Sequence, residues 1–281
     1  MTNIQSNEFN TSEIIRKVPE ITLMFWIIKV FATTLGETGG DAVTMSMNLG
    51  YLTGTMIFTL FFVVMVIKQI HEKKLNPYIY WITIVATTTL GTTLADFCTR
   101  SIGIGYTGGS TILFVLLIGS LFIWKQTMGS VSIDTINSRK TEMFFWGTIM
   151  FSQTLGTALG DWTADSMGLG YSGAAIVFVI VLLFIAAAYF WTKISPTALF
   201  WAAFILTRPL GAAVGDFLDK PISSGGLALS RYSASAVLLI CIVALIFLSK
   251  QKAKQAVSSS YSAHQNMSAD IDYNEIEEYD K

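Results

Sequence analysis

Charge is scarce in this chain. Only 13% of its 281 residues are Asp, Glu, Lys or Arg, against about 25% in average soluble domains. Basic and acidic residues nearly cancel, 18 against 19, so no basic excess speaks for nucleic acid. Cysteine is almost missing. Cys98 and Cys241 stand far apart in apolar stretches, which argues against a disulfide framework or a cysteine zinc site. Histidine is equally rare: His71 sits in a basic loop and His264 near the C-terminus, so neither favours zinc or copper. A phosphate-binding loop, a Ser/His/Asp set and a haem motif are all missing, and the expectation is that the chain is not an enzyme. Residues 1–20 are polar and include Glu13 and Glu20, unlike a secretory signal peptide.

What is present is apolar. Hydrophobic residues make up 52% of the chain, the mean hydropathy is +0.56, and runs of about 20 apolar residues recur, the length that crosses a bilayer. The pattern predicts an all-α integral membrane protein with eight transmembrane helices, at roughly 21–42, 50–68, 77–98, 106–124, 142–163, 171–191, 197–218 and 230–249. A cytoplasmic N-terminal segment, 1–20, precedes the membrane domain, 21–250. The segment 251–281 turns from basic to Ser-rich to acidic and reads as a disordered cytoplasmic tail.

One phrase occurs four times: "TLGETGGDA" from Thr34, "TLGTTLADF" from Thr89, "TLGTALGDW" from Thr154 and "PLGAAVGDF" from Pro209. Fifteen residues before each aspartate stands Trp26, Trp81, Trp146 or Trp201, each preceded by an aromatic: Phe25, Tyr80, Phe145 and Phe200. Ten residues after the first three aspartates stand Tyr51, Tyr106 and Tyr171, and Tyr232 takes that role after an insertion. The unit is therefore a helix pair used four times, at about 21–68, 77–124, 142–191 and 197–249. Two spans per unit make the repeats parallel, arranged around a pseudo-symmetric axis. Lys and Arg gather on the side of the termini, among them Arg16, Lys17, Lys73, Lys74, Arg139 and Lys140, while the far side holds only Arg100, Lys220 and Arg231. The positive-inside rule places both termini in the cytoplasm, in the plasma (inner) membrane, with the tryptophans as an aromatic belt at the cytoplasmic interface.

Within the phrase, small residues four apart lie on one helix face: Gly36 and Gly40, Gly91 and Ala95, Gly156 and Gly160, Gly211 and Gly215. Such pairs let helices approach closely in lipid. The aspartates Asp41, Asp96, Asp161 and Asp216 follow directly, and charges inside a span face a bundle interior or a wet cavity. Residues four and eight before each share its face: Glu37 and Thr33, Thr92 and Thr88, Thr157 and Gln153, Ala212 and Arg208. Lys29 lies one turn further in, and Asp165 one turn further out. Thr34, Thr89 and Thr154 are expected to bond back to the helix, and Pro209 to kink the fourth copy. Asp41, Asp96, Asp161, Asp216 and Glu37 against Lys29 and Arg208 leave a formal excess of three negative charges, which favours a cation or bound protons. Oxygen donors suit Mn²⁺, Ca²⁺ or Mg²⁺, with protons as a coupling ion.

The fourfold "LGxxx[GA]D", with its upstream aromatic–Trp pair and downstream Tyr, resembles a bacterial family of multi-pass proteins generically labelled uncharacterised membrane-anchored proteins. The likeness covers roughly residues 20–250 and implies fold and topology, not an activity. "GETGGD" also resembles the Glu-x-Gly-Asp signature of calcium/manganese cation antiporters, with one residue extra, no basic residue and hydroxyl directly following, and the Glu in the first copy only.

The leading expectation is a transporter of a small cation, a divalent metal such as Mn²⁺ first, with no tightly bound cofactor. The four aspartates are the metal ligands, with Glu37, Thr92, Thr157 and Gln153 as secondary ligands or proton carriers and Lys29 and Arg208 as counter-charges. A cation channel, a carrier of a small organic cation, and a structural or sensory protein with fixed ion pairs are the alternatives. Its partners are the lipid bilayer and the cation, and a homo-oligomer or a cytoplasmic partner of the tail is compatible with the sequence.

Overall fold

The computed structural model describes residues 17–250; the predicted tail beyond 250 and the segment before Lys17 lie outside them. Eight helices follow one another: α1 (Leu23–Asp41), α2 (Gly50–His71), α3 (Pro77–Asp96), α4 (Gly105–Met128), α5 (Arg139–Asp161), α6 (Gly170–Trp191), α7 (Pro196–Asp219) and α8 (Arg231–Lys250). All eight predicted spans are present as helices, with ends shifted by a few residues. The described residues up to Ile242 form one compact unit, and those from Val243, the last turns of α8, fall in a second.

Local chemistry starts the first-of-pair helices. The Thr22 hydroxyl accepts from the Phe25 N–H at 3.4 Å, Asn76 caps α3 with Pro77 in its first turn, Ser138 and Thr141 form a reciprocal capping box, and Pro196 opens α7. These residues satisfy, or do without, the orphan N–H groups of a helix start. At their far ends α1, α3 and α5 stop at the aspartate and widen into five-residue π-helical turns, Ala42–Ser46, Phe97–Ser101 and Trp162–Ser166. The chain then reverses through left-handed residues seven and nine after each aspartate: Asn48 and Gly50, Gly103 and Gly105, Gly168 and Gly170. Glycine and asparagine tolerate that backbone best, so "NLGY", "GIGY" and "GLGY" belong to the repeat as a turn signal.

The helices carrying the repeated phrase make a closed ring: α1 on α3, α3 on α5, α5 on α7, and α7 on α1. The two helices of one repeat do not make the main pair. Instead α2 packs on α3, α4 on α5 and α6 on α7, so each outer helix clasps the next repeat. In the first unit α8 meets α1, where Ser235 and Thr38 share a hydrogen bond of 2.8 Å.

The glycines explain why the ring closes tightly. A Cβ on Gly36 would strike Thr88, on Gly91 Gln153, on Gly156 Arg208, and on Gly211 Thr33. Each glycine thus receives the residue eight before the next repeat's aspartate. One turn on, Gly40 faces Thr92, Gly160 faces Ala212 and Gly215 faces Glu37. The second repeat departs from this. Ala95 stands where the other copies have glycine, and its methyl group is accommodated in the interior, 1% exposed. At that seam the tight approach is seen at Gly91, and the Ala95 carbonyl accepts from the Thr99 hydroxyl at 2.8 Å.

Gly91→Ala would place its methyl 2.9 Å from the Gln153 backbone carbon and 3.0 Å from the Thr154 nitrogen, so a loss of about 1–3 kcal/mol from overpacking is expected. Gly119, with nothing within 4 Å, should tolerate Ala or gain up to about 1 kcal/mol of helix propensity. Thermal unfolding of the two variants side by side checks this; equal midpoints would refute the packing role.

Polarity is turned inside out. Large apolar side chains face outward on the outer helices, among them Leu60 (68% exposed), Phe184 (69%) and Ile240 (68%), while the threonines of the ring are buried. Five helices, α2, α4, α6, α7 and α8, are long and apolar enough to cross a membrane. The helices α1, α3 and α5 carry the polar stripe and are shielded by their neighbours. An apolar coat around a polar interior is the arrangement a bilayer stabilises.

Candidate functional site

Residues four apart on the ring helices stack into levels along the axis. At the helix starts each aromatic meets the next repeat's tryptophan: Phe25 and Trp81 at 5.3 Å, Tyr80 and Trp146 at 5.6 Å, Phe145 and Trp201 at 6.2 Å, Phe200 and Trp26 at 5.9 Å. Trp81, Trp146 and Trp201 are buried. Three of the four tryptophans are therefore not exposed as an aromatic belt would be, but form with the half-buried Trp26 an aromatic layer across one end of the ring. Above it lie Ile84, Ile149 and Phe204, all buried, with Lys29 at the same level. Among the described residues Lys29 pairs with no aspartate. Its ammonium donates to the Phe204 carbonyl at 2.9 Å and the Thr207 hydroxyl at 2.6 Å, 3.9 Å from the centre of the Phe204 ring. Twelve residues, about 18 Å, separate it from Asp41, which corrects its expected role as a counter-charge of the acidic level.

Arg208 does act as a counter-charge, but for Glu37 rather than the aspartates. Its Nη2 donates to Glu37 Oε2 at 2.9 Å, to Thr92 Oγ1 at 2.7 Å, and to Thr157 Oγ1 at short range. Three of the predicted secondary ligands thus converge on one guanidinium nitrogen. Gln153, the fourth, is fully buried, and neither amide atom has a hydrogen-bond partner among the described residues. Thr88 Oγ1, Ser152 Oγ, and Arg208 Nε and Nη1 are likewise buried and unpartnered. Thr34, Thr89 and Thr154 bond back to Val30, Val85 and Met150 carbonyls, as their positions predicted. α7 runs on as helix through Pro209, whose atoms pack beside Gly156 and Gly160.

At the outer level all four aspartates are buried, and they are held in two pairs. Arg100 spans Asp96 (Nε to Oδ1, 2.8 Å) and Asp161 (Nη2 to Oδ2, 3.1 Å). Lys220 spans Asp41 (2.6 Å) and Asp216 (3.0 Å). Arg231 binds Asp219 at 2.7 Å and approaches Asp41 at 3.8 Å. These three cations stand in the outer loops by sequence, so the negative excess expected of the interior was too large. Six carboxylates, with Asp219, are paired by four cations, Arg100, Arg208, Lys220 and Arg231, and with the separate Lys29 the interior stands at a formal −1 rather than −3. The missed signal was spacing. The residue four after each aspartate is Met45, Arg100, Asp165 or Lys220, so repeats two and four bring a cation that also serves the next repeat. Asp165 lies outside the buried level and accepts from the Tyr106 hydroxyl at 3.3 Å.

Burial works against the Arg100 charge, but Asp96 and Asp161 outweigh it and move its pKa upward. Lys220 is raised the same way, burial opposing and Asp216, Asp41 and Asp219 prevailing. Both therefore stay charged at neutral pH. Glu37, Asp41 and Asp216 each offer a carboxylate oxygen, all within 4.8 Å of one another. The Lys220 ammonium sits on two of these three groups, as a small cation would.

Fold and site together define an all-helical, four-repeat ring protein of membrane type, with a buried, charge-paired acidic level at one end and an aromatic layer at the other. The chain belongs to the family described as "Repeat of Unknown Function (DUF347)", whose four copies match residues 24–74, 79–130, 144–195 and 199–253. No curated protein and no solved structure matches it.

Proposed function

We propose that the chain is a membrane carrier of a small cation, with a divalent metal such as Mn²⁺ as the favoured cargo. All eight helices span, both termini are cytoplasmic, and no chemical reaction is catalysed. The observation that carries this reading is the carboxylate triad of Glu37, Asp41 and Asp216, occupied by the Lys220 ammonium. A cation arriving at the outer end replaces that ammonium, and hard carboxylate oxygens suit it. About 12 Å further in, the unpartnered Gln153, Thr88 and Ser152 groups supply oxygens for a second station. The aromatic layer is the inner barrier, and opening it while the outer pairs hold is the opposite access state. Carboxylates relieved of the cation can take up protons, which links transport to a proton gradient.

The test is cellular metal content and uptake in a strain lacking the gene, complemented by wild type or by variants. Asp41→Asn with Asp216→Asn, and Asp96→Asn with Asp161→Asn, should each lower cargo movement by about tenfold or more, the effect of losing about 1.4 kcal/mol of binding. Uptake untouched by either pair would refute carriage. It would favour the second reading, a non-transporting scaffold, which draws on the ion pairing of all four aspartates.

A further inference from the structure

The four repeats should make equivalent clefts between an outer helix, the ring helix it clasps and the next ring helix, and comparing them exposes a second site. The deciding position lies 28 residues after the first three aspartates: Gln69, Trp124 and Tyr189. On α4, Trp124 is fully buried and fills its cleft against Phe144, Phe145 and Trp201. On α2, Gln69 is buried beside the chain segment at Lys17, which bonds the Gln69 carbonyl at 3.4 Å and pairs with Glu142 at 2.8 Å. On α6, Tyr189 instead turns outward, 59% exposed, against Phe190. A cavity of about 1010 Å³ remains between α6, α7 and α1. Its walls include Leu199, Phe200 and Trp26, the repeat equivalents of the three residues that hold the Trp124 indole.

The shape and chemistry of this cleft point to its ligand. It follows α7 from Pro196 to Leu210, about 21 Å of helix, more than the ~15 Å half-thickness of a bilayer core. Along that length the lining is almost wholly apolar, from Leu182, Leu183 and Ile185 to Ala203. Apart from Thr207, whose hydroxyl accepts from Lys29, the polar lining gathers at the end by the helix starts, at Glu20, Ser132, Asp134 and Thr197. A long apolar slot with a polar mouth at the membrane surface matches one acyl chain with its headgroup.

We propose that the α6–α7–α1 cleft is a binding site for one membrane phospholipid, whose acyl chain takes the place that Trp124 fills in the preceding repeat. The chain would cover the half-buried Trp26 and complete the aromatic layer at the α7–α1 seam. This rests on placement in a membrane but not on cation carriage.

Full-length protein washed into mild detergent and examined by native mass spectrometry tests it. One retained phospholipid per chain is expected. Ala203→Trp and Ala186→Trp, from opposite walls, should each abolish the lipid-bound peak, while Leu60→Trp on the outer face of α2 should keep it. Equal retention in the plugged variants and Leu60→Trp, or a bound organic cation in place of lipid, would overturn the proposal. Metal uptake is a separate readout, so failure of one inference leaves the other standing.

Discussion

Replacing Arg208 with leucine should cost about 3–5 kcal/mol, the usual effect of stripping one partner from a buried ion pair. Arg208 is fully buried and Glu37 nearly so, and the same nitrogen also holds Thr92 and Thr157. Without it a carboxylate and two hydroxyls are left in the middle of the ring. Because the penalty comes from the stranded charge, Arg208→Leu combined with Glu37→Gln should recover most of the loss. Arg208→Lys should not, since an ammonium on a different stem cannot reproduce the guanidinium's geometry. Thermal unfolding of the purified single and double variants measures the coupling. If the double variant is no more stable than Arg208→Leu alone, Glu37 is not what Arg208 compensates.

Lys220→Met is expected to make stability depend on divalent cations. The substitution removes the ammonium shared by Asp41 and Asp216 and leaves the triad with Glu37 open. Two stranded carboxylates destabilise the fold, and a cation that binds them restores it. At a hundredfold excess over its Kd, Mn²⁺ should return about 2.7 kcal/mol, while the wild type, whose own lysine competes for the seat, should respond far less. Adding Asp216→Asn to Lys220→Met should abolish the response. Unfolding curves with Mn²⁺ or with chelator decide the matter. A Lys220→Met protein no more sensitive to Mn²⁺ than wild type would show that Lys220 does not hold a cation's place.

Much of the architecture was legible in the chain. Spans of about 20 apolar residues gave eight helices, because helix length is dictated by rise per residue and bilayer thickness. Aspartates at one repeated position had to come to one level, because stacked repeats of one design bring equivalent residues together. The small pairs at four-residue spacing marked the faces where ring helices meet, although Ala95 shows that one member of a pair can carry a methyl group and still be enclosed. The partners of the charges were less accessible. Lys29 and the aspartates share a face in sequence, yet twelve residues of helix keep them apart. Arg100 and Lys220 were readable only as loop cations until folding returned them over the carboxylates.

Composition, repeat period and the position of each aspartate were enough to establish a helical membrane-type protein with a fourfold acidic level. These properties depend on local geometry that every repeat repeats. Pairing is not local. Which cation sits between which aspartates, that an outer helix clasps the next repeat rather than its own, and that one of the equivalent clefts stays open all depend on closing the ring. The four copies differ at single positions, Met45, Arg100, Asp165 and Lys220 in one set, Gln69, Trp124 and Tyr189 in another. Those differences acquire meaning only when neighbours far apart in the chain are brought within a few ångströms. The charge at each repeated aspartate was written in the sequence; its neutralisation was decided by tertiary contact, because a buried charge is stabilised by whatever opposite charge folding places beside it.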